Sequence, residues 1–154
     1  MAAHPEEKLA ELGFKLPEVA KPAGAYVPAL RNGSLVYTSG QLPFVDGTLP
    51  ATGKVGAAVA PEQAKELAAL CALNALAAVK AEIGDLAKVK RVVKVVAFVA
   101  SDPSFTGQPG VANGASELLG TVFGDAGVHA RSAVGVAVLP LDTPVEVEIT
   151  VEVE

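Results

Sequence analysis

Arg131 stands in a run, Ala130-Arg131-Ser132-Ala133-Val134-Gly135-Val136-Ala137-Val138, that sorts two kinds of side chain. In a strand, Arg131, Ala133, Gly135 and Ala137 share one pleat face, and Ser132, Val134, Val136 and Val138 share the other. The valine face is bulky and is expected to pack under a helix. The other holds a fixed cation beside small side chains, which leaves room for a small carboxylate held by two parallel hydrogen bonds. The same pattern also suits a surface arginine paired with a glutamate of the neighbouring strand. A second candidate lies in the last strand, where Val145, Val147, Ile149, Val151 and Val153 alternate with Glu146, Glu148, Thr150, Glu152 and Glu154. A row of carboxylates is ordinarily a solvated face. Glu146 differs in lying nearest the Leu139-Pro140 turn. In a simple hairpin it would sit opposite Ala137, roughly 20 Å along the strand from Arg131. A bulge or a neighbouring subunit would be needed to unite the two.

Thr38-Ser39-Gly40-Gln41 offers two hydroxyls and an unobstructed backbone at a strand end, suited to close ligand approach or to an ordinary exit into a loop. Asn113 has the alternative of capping a helix start, and Tyr26 that of edge packing. His4 and His129 are too isolated to suggest a metal site or a histidine-based triad. No Walker, Rossmann or zinc motif is present. The single cysteine, Cys71, falls within a helical pattern and reads as a buried thiol.

The elements that must position these residues are legible from pattern. Residues 5–13 read as a short amphipathic helix, followed by a proline-rich connector. An extended stretch at 26–30, an Asn32-Gly33 turn and a strand at 34–39 make a hairpin. Residues 43–56 read as an ordered loop. Pro61 to Ile83 forms the strongest helix, with Pro at its first position and Gly84 as its stop. Val89 to Ala100 is apolar on both pleat faces and reads as the central strand, covered on both sides. A second long helix spans roughly 108–123, and strands at about 130–138 and 144–153 follow. This order implies one α+β domain over 1–154, with 1–23 as helix and connector and 24–154 as core. Both long helices are expected on one face of the sheet. The opposite face would then be bare, and other copies of the chain are the simplest cover.

Composition agrees. The chain has 154 residues, is 51% hydrophobic and only 5% aromatic, with a mean hydropathy of +0.41. That surplus points to apolar surface buried between subunits. A net charge of −5 with scattered basic residues argues against nucleic-acid partners, because phosphate binding needs clustered Lys and Arg. No signal peptide is visible, and apolar runs break before membrane-spanning length. The expectation is a soluble, cytoplasmic protein with no membrane partner.

Two motifs together carry a resemblance. Leu35-Val36-Tyr37-Thr38-Ser39-Gly40-Gln41-Leu42-Pro43 resembles the "SGQ-x-P" strand of the RidA/YjgF family, which includes reactive-intermediate imine deaminases and endoribonuclease L-PSP proteins. The arginine run, Leu139-Pro140 and Val145-Glu146-Val147-Glu148 resemble its C-terminal signature. The likeness covers about residues 24–154. It implies a chorismate-mutase-like fold, a mixed sheet with two helices, assembled as a homotrimer with ligand clefts between subunits. It also implies cofactor-free, metal-free hydrolysis of 2-imino or enamine acids to 2-keto acids and ammonia. Arg131 would bind the substrate carboxylate and Glu146 would position or activate water, while Tyr26, Ser39, Gly40 and Asn113 would line the cleft. Ala133 replaces the family's common cysteine, so a thiol contribution is absent. The N-terminal helix and Gln108-Pro109-Gly110 look like features of a divergent branch. The alternatives are a sensor that binds a small carboxylate in the same cleft without turnover and, given the charge, least of all RNA cleavage.

Overall fold

A computed structural model describes residues 3–154, so the first two residues of the N-terminal segment lie outside it. The elements are α1 (Pro5–Glu11), β1 (Ala29–Asn32), β2 (Leu35–Thr38), α2 (Pro61–Ile83), β3 (Val89–Ala100), α3 (Gln108–Phe123), β4 (Ala130–Val136) and β5 (Val145–Val153). They form a five-stranded mixed sheet in the order β1-β2-β5-β3-β4. Among these five strands, only the β3–β4 pair is parallel. A parallel pair needs a crossover, and here α3 supplies it.

α2 runs between the predicted signals. Pro61 occupies its first turn, and Gly84 ends it at a φ of 87°, which glycine adopts without a Cβ clash. Its middle is apolar nearly all round because it lies between the sheet and α3. Ala64, Ala68, Cys71, Ala72, Ala75, Leu76 and Val79 are all fully buried. α3 approaches so closely that a Cβ on Gly114 would fall 1.8 Å from the Lys65 carbonyl oxygen of α2. α1 is tied on by buried Leu9, by Glu6–Lys80 at 2.7 Å and by His4–Asp85 at 2.7 Å.

Both long helices cover one face of the sheet. β5 is the middle strand, and its Val145, Val147, Ile149, Val151 and Val153 are buried against the helices. This corrects the assignment of residues 89–100 as the central strand, since β3 stands one place off centre. Nor does one chain cover both faces of β3. Val92, Val95, Ala97 and Val99 are buried, whereas Val96 and Phe98 are only half-buried on the other side. That open face also carries Leu30, 57% exposed, Tyr37, 41%, and Val134, 43%, which is apolar surface of the kind an interface covers.

The hairpin turn is shifted by one residue from expectation. Asn32 pairs with Leu35, leaving Gly33 and Ser34 as the two loop residues, with Gly33 at a φ of 64°. The last two strands form no hairpin. β3 lies between them, because Leu139 to Pro144 carries the chain over the end of β3 to its other side.

The close seat of Gly114 makes a direct stability test. Gly114→Ala should lower the melting temperature by several degrees, because overpacking costs about 1–3 kcal/mol. Gly120→Ala, in the same helix with open space around it, should be neutral or stabilising by up to about 1 kcal/mol. Thermal denaturation of the two variants decides it, and equal effects would contradict the packing described.

Candidate functional site

Cross-strand partners share a pleat face, which fixes where the arginine points. Arg131 lies opposite Val95, Ala133 opposite Ala97 and Gly135 opposite Val99, and all three partners are fully buried on the helix side. The face read as uncrowded is therefore the one that packs under α3, and the valine face is the open one. The physical reason is proximity. A Cβ on Gly135 would meet the Gln108 side chain at 2.8 Å, so small residues on β4 are what let the helix sit down.

At this edge of the sheet the guanidinium is half-buried and held by α3. Arg131 Nη1 donates to Asn113 Oδ1 at 2.7 Å and to Ser116 Oγ at 3.2 Å. Asn113 and Ser116 are three apart on the helix and so share a face. Asn113 is the sixth residue of α3, inside the helix and not at its cap. Ser116 Oγ lies 2.8 Å from His129 Nε2, and His129 Nδ1 lies 2.6 Å from the Gly127 carbonyl oxygen. Nη1 spends both its hydrogens on these partners. Nε–H and Nη2–H have no protein acceptor among the described residues, and Arg131 forms no ion pair there with any glutamate. The ion-paired alternative for this arginine is thus not what the chain adopts.

Ser116 and His129 were not singled out from sequence as part of this cluster. The available signals were the i, i+3 spacing of Asn113 and Ser116, and the position of His129 two residues before Arg131. The latter predicts the same pleat side once the strand is extended backward.

Glu146 lies elsewhere. It pairs with Phe98 on the open face, on the opposite side of the sheet from Arg131. Strand rise and spacing put the two Cα atoms about 14 Å apart. Its companion is Gly40. Tyr37 pairs with Thr150 and Gln41 with Val147, so one extra residue stands on the Ser39–Gly40 side. Such a bulge re-aims the chain locally. Thr38 Oγ1 accepts the Ile149 N–H at 3.0 Å beside it. A Cβ on Gly40 would fall 2.2 Å from Glu146 Oε2, so only glycine leaves the carboxylate its place. Burial pushes the Glu146 carboxyl above the ordinary glutamate range, and the charge of Glu148 adds to the shift.

The remaining predicted residues flank this second cluster. Ser39 Oγ donates to the Val27 carbonyl at 2.6 Å and its N–H to that of Pro28 at 2.8 Å, pinning the segment that carries Tyr26. Tyr26 itself is 49% exposed, its hydroxyl accepting the Ala23 N–H at 3.1 Å. Asn74 on α2 donates to the Leu42 and Phe44 carbonyls at 2.8 and 3.2 Å, fixing the loop beyond Gln41. Cys71 is buried and contacts the Val145 carbonyl at 3.7 Å. Burial pushes its thiol well above the ordinary range, with Glu146 adding to the effect. It is a packed side chain, unsuited to act as a thiolate. The candidate residues thus fall into two separate clusters: Arg131 with Asn113, Ser116 and Ala133 on the helix side, and Glu146 with Ser39 and Gly40 on the open face. No helix among the described residues is long and apolar enough to cross a membrane.

Known proteins resemble this chain over nearly its whole length. The chain is 48% identical over 145 residues to Protein TCP17 of Trypanosoma cruzi, covering 94% of this chain and 91% of that protein. The crystal structure of Atu1372 from Agrobacterium tumefaciens, of unknown function, superposes with a TM-score of 0.91 at 49% identity, covering 97% of this chain and 92% of that one. The structure of E. coli TdcF with bound serine superposes at a TM-score of 0.60 and 26% identity, covering 90% and 94%. The α+β architecture and mixed sheet agree with the chorismate mutase-like fold. With a family model matching residues 6–153, the chain belongs to the YjgF/chorismate mutase-like endoribonuclease family.

Proposed function

We propose that the chain hydrolyses small 2-imino or enamine acids to 2-keto acids and ammonia, at sites shared between copies of itself. The observation that carries this reading is the half-buried Arg131. Its Nη1 is saturated by neutral partners, and its Nε–H and Nη2–H edge has no acceptor among the described residues. A guanidinium fixed on one edge and open on the other is preorganised for a carboxylate. The serine bound to TdcF is a small amino acid carrying such a carboxylate.

Glu146 supplies the second part. Its own chain cannot bring it to Arg131, because the sheet lies between them. A second copy docked on the open apolar face would bring its Arg131 edge to this glutamate, and we propose a homotrimer on that basis. The substrate carboxylate would rest on Arg131 of one copy, with a water held near Glu146 of the next. The water oxygen bonds to the imine carbon, giving a proton to the carboxylate. The C–N bond then breaks, and nitrogen leaves as ammonia carrying both hydrogens of the water. Tyr26, Ser39 and Gly40 would border the glutamate side of the cleft, and Asn113 and Ala133 the arginine side. A sensor that binds the same carboxylate without turnover is the second reading, favoured by Ala133 standing where the family commonly has a thiol.

Sedimentation velocity should give three times the chain mass of 15.5 kDa, and a monomer would contradict a shared site. Arg131→Ala should weaken binding of a 2-keto acid roughly 10- to 150-fold, the scale of losing hydrogen bonds to a charged group, with ammonia release falling in step. Unchanged release from an imine generated in situ by an amino-acid oxidase would sink the deaminase reading. Retained binding without turnover in the wild type would select the sensor.

The base form of Glu146 is the active one in this scheme, so activity is lost as pH falls through its raised pKa. The acid limb of kcat/KM should therefore bend above the ordinary glutamate value of about 4.3. Glu146→Gln should abolish that limb and lower the rate about 100-fold or more. An acid limb that persists in the variant would assign it to another group.

A further inference from the structure

The Arg131 cluster continues inward through two residues that the reaction scheme does not use. We propose that His129, acting through Ser116, is a positioning residue that locks Arg131 with its Nε–Nη2 edge presented outward, an inference that rests on the carboxylate-binding reading of that edge. Hydrogen-bond polarity fixes the arrangement. A backbone carbonyl only accepts, so the 2.6 Å contact with Gly127 assigns the neutral imidazole's proton to Nδ1. Nε2 is then a bare lone pair 2.8 Å from Ser116 Oγ, and the serine must donate to it. Having spent its proton inward, Ser116 can only accept from its remaining neighbour, Arg131 Nη1. Asn113 Oδ1 takes the other Nη1 hydrogen. Every bond in the chain from Arg131 to the Gly127 carbonyl runs in one direction, an arrangement in which each bond strengthens the next.

The anchor of this chain is built into the backbone. A Cβ on Gly127 would lie 2.4 Å from the Leu119 carbonyl oxygen, so Gly127 sits directly on the end of α3 and its own carbonyl is fixed there. Ser116 is fixed by the same helix, and Gly114 presses that helix onto α2. Remove the imidazole and Ser116 is free to turn its hydroxyl proton toward the guanidinium. Donor would then face donor, and Arg131 would lose one of its two tethers. The guanidinium regains rotamer freedom, and a ligand must freeze it again on binding.

The polarity can be read without any ligand. In the wild-type protein, ¹⁵N-resolved NMR of the His129 ring should show the Nδ1–H form, and an Nε2–H form would overturn the proposal. The Arg131 Nε–H resonance should sharpen or shift back toward wild type in His129→Gln, whose amide oxygen can replace the Nε2 acceptor. It should broaden in His129→Leu, and identical spectra for the two variants would count against the chain. With 2-oxobutanoate as the probe, Ser116→Ala and His129→Leu should each weaken binding about tenfold, the size of one net hydrogen bond. The double variant should be no worse than either single by more than about twofold, since members of one network are not additive. Additive losses, or a His129→Leu protein that binds as tightly as wild type, would refute the positioning role. Should wild type and Arg131→Ala bind the probe equally, the carboxylate reading fails. The ring and arginine resonances then decide the hydrogen-bond chain alone.

Discussion

A guanidinium withdrawn from water without a carboxylate beside it is held at a cost, and the structure around Arg131 is arranged to bear it. Neutral acceptors on α3 take one edge of the ion, while the sheet edge keeps the other within reach of solvent or ligand. Charge left uncompensated inside a protein is destabilising unless hydrogen-bonded. Here both Nη1 hydrogens are satisfied and the net charge remains available. The nearest strands, helix contacts and glycines follow from that requirement. β4 must be an edge strand, its helix-facing residues must be small, and α3 must press close enough for Asn113 and Ser116 to reach.

The same geometry divides the chemistry. Because cross-strand partners share a face, the register that buries Val95 also sends Arg131 toward the helices, and the register that pairs Glu146 with Phe98 sends the carboxylate to the other side. No side-chain rotation carries either group through a sheet. The open face that holds Glu146 also carries exposed apolar side chains, so a partner copy covering it would remove Leu30, Tyr37 and Val134 from water while approaching the carboxylate. Stability and chemistry would then be satisfied by one assembly step.

Elements governed by local rules were legible in the sequence. Pro61 and Gly84 bracketed α2 to the residue, α3 fell at 108–123, and the uninterrupted alternation of β5 marked a half-buried strand. What depended on the three-dimensional partner was not legible. Alternation separated Arg131, Ala133 and Gly135 from the valines but could not say which set meets a helix. Bulk suggested the valines, whereas the close approach of α3 demanded the small residues. The strand order was hidden for a similar reason, because β4 and β5 are adjacent in sequence yet separated by β3. Gly40 and Glu146 were each named, but their contact depends on a bulge that no local signal announced. Ser116 and His129 looked unremarkable because each gains its role only from Arg131.

The central claim is that one substrate site draws its arginine and its glutamate from different copies of the chain. Co-expression of Arg131→Ala and Glu146→Gln chains tests it directly, since each is defective alone and in a different half. Random mixing in a closed ring leaves about one site in four with both native groups, so the co-assembled protein should recover about a quarter of wild-type ammonia release per site. Mixed assemblies of the correct mass with no more activity than the parent variants would contradict the account.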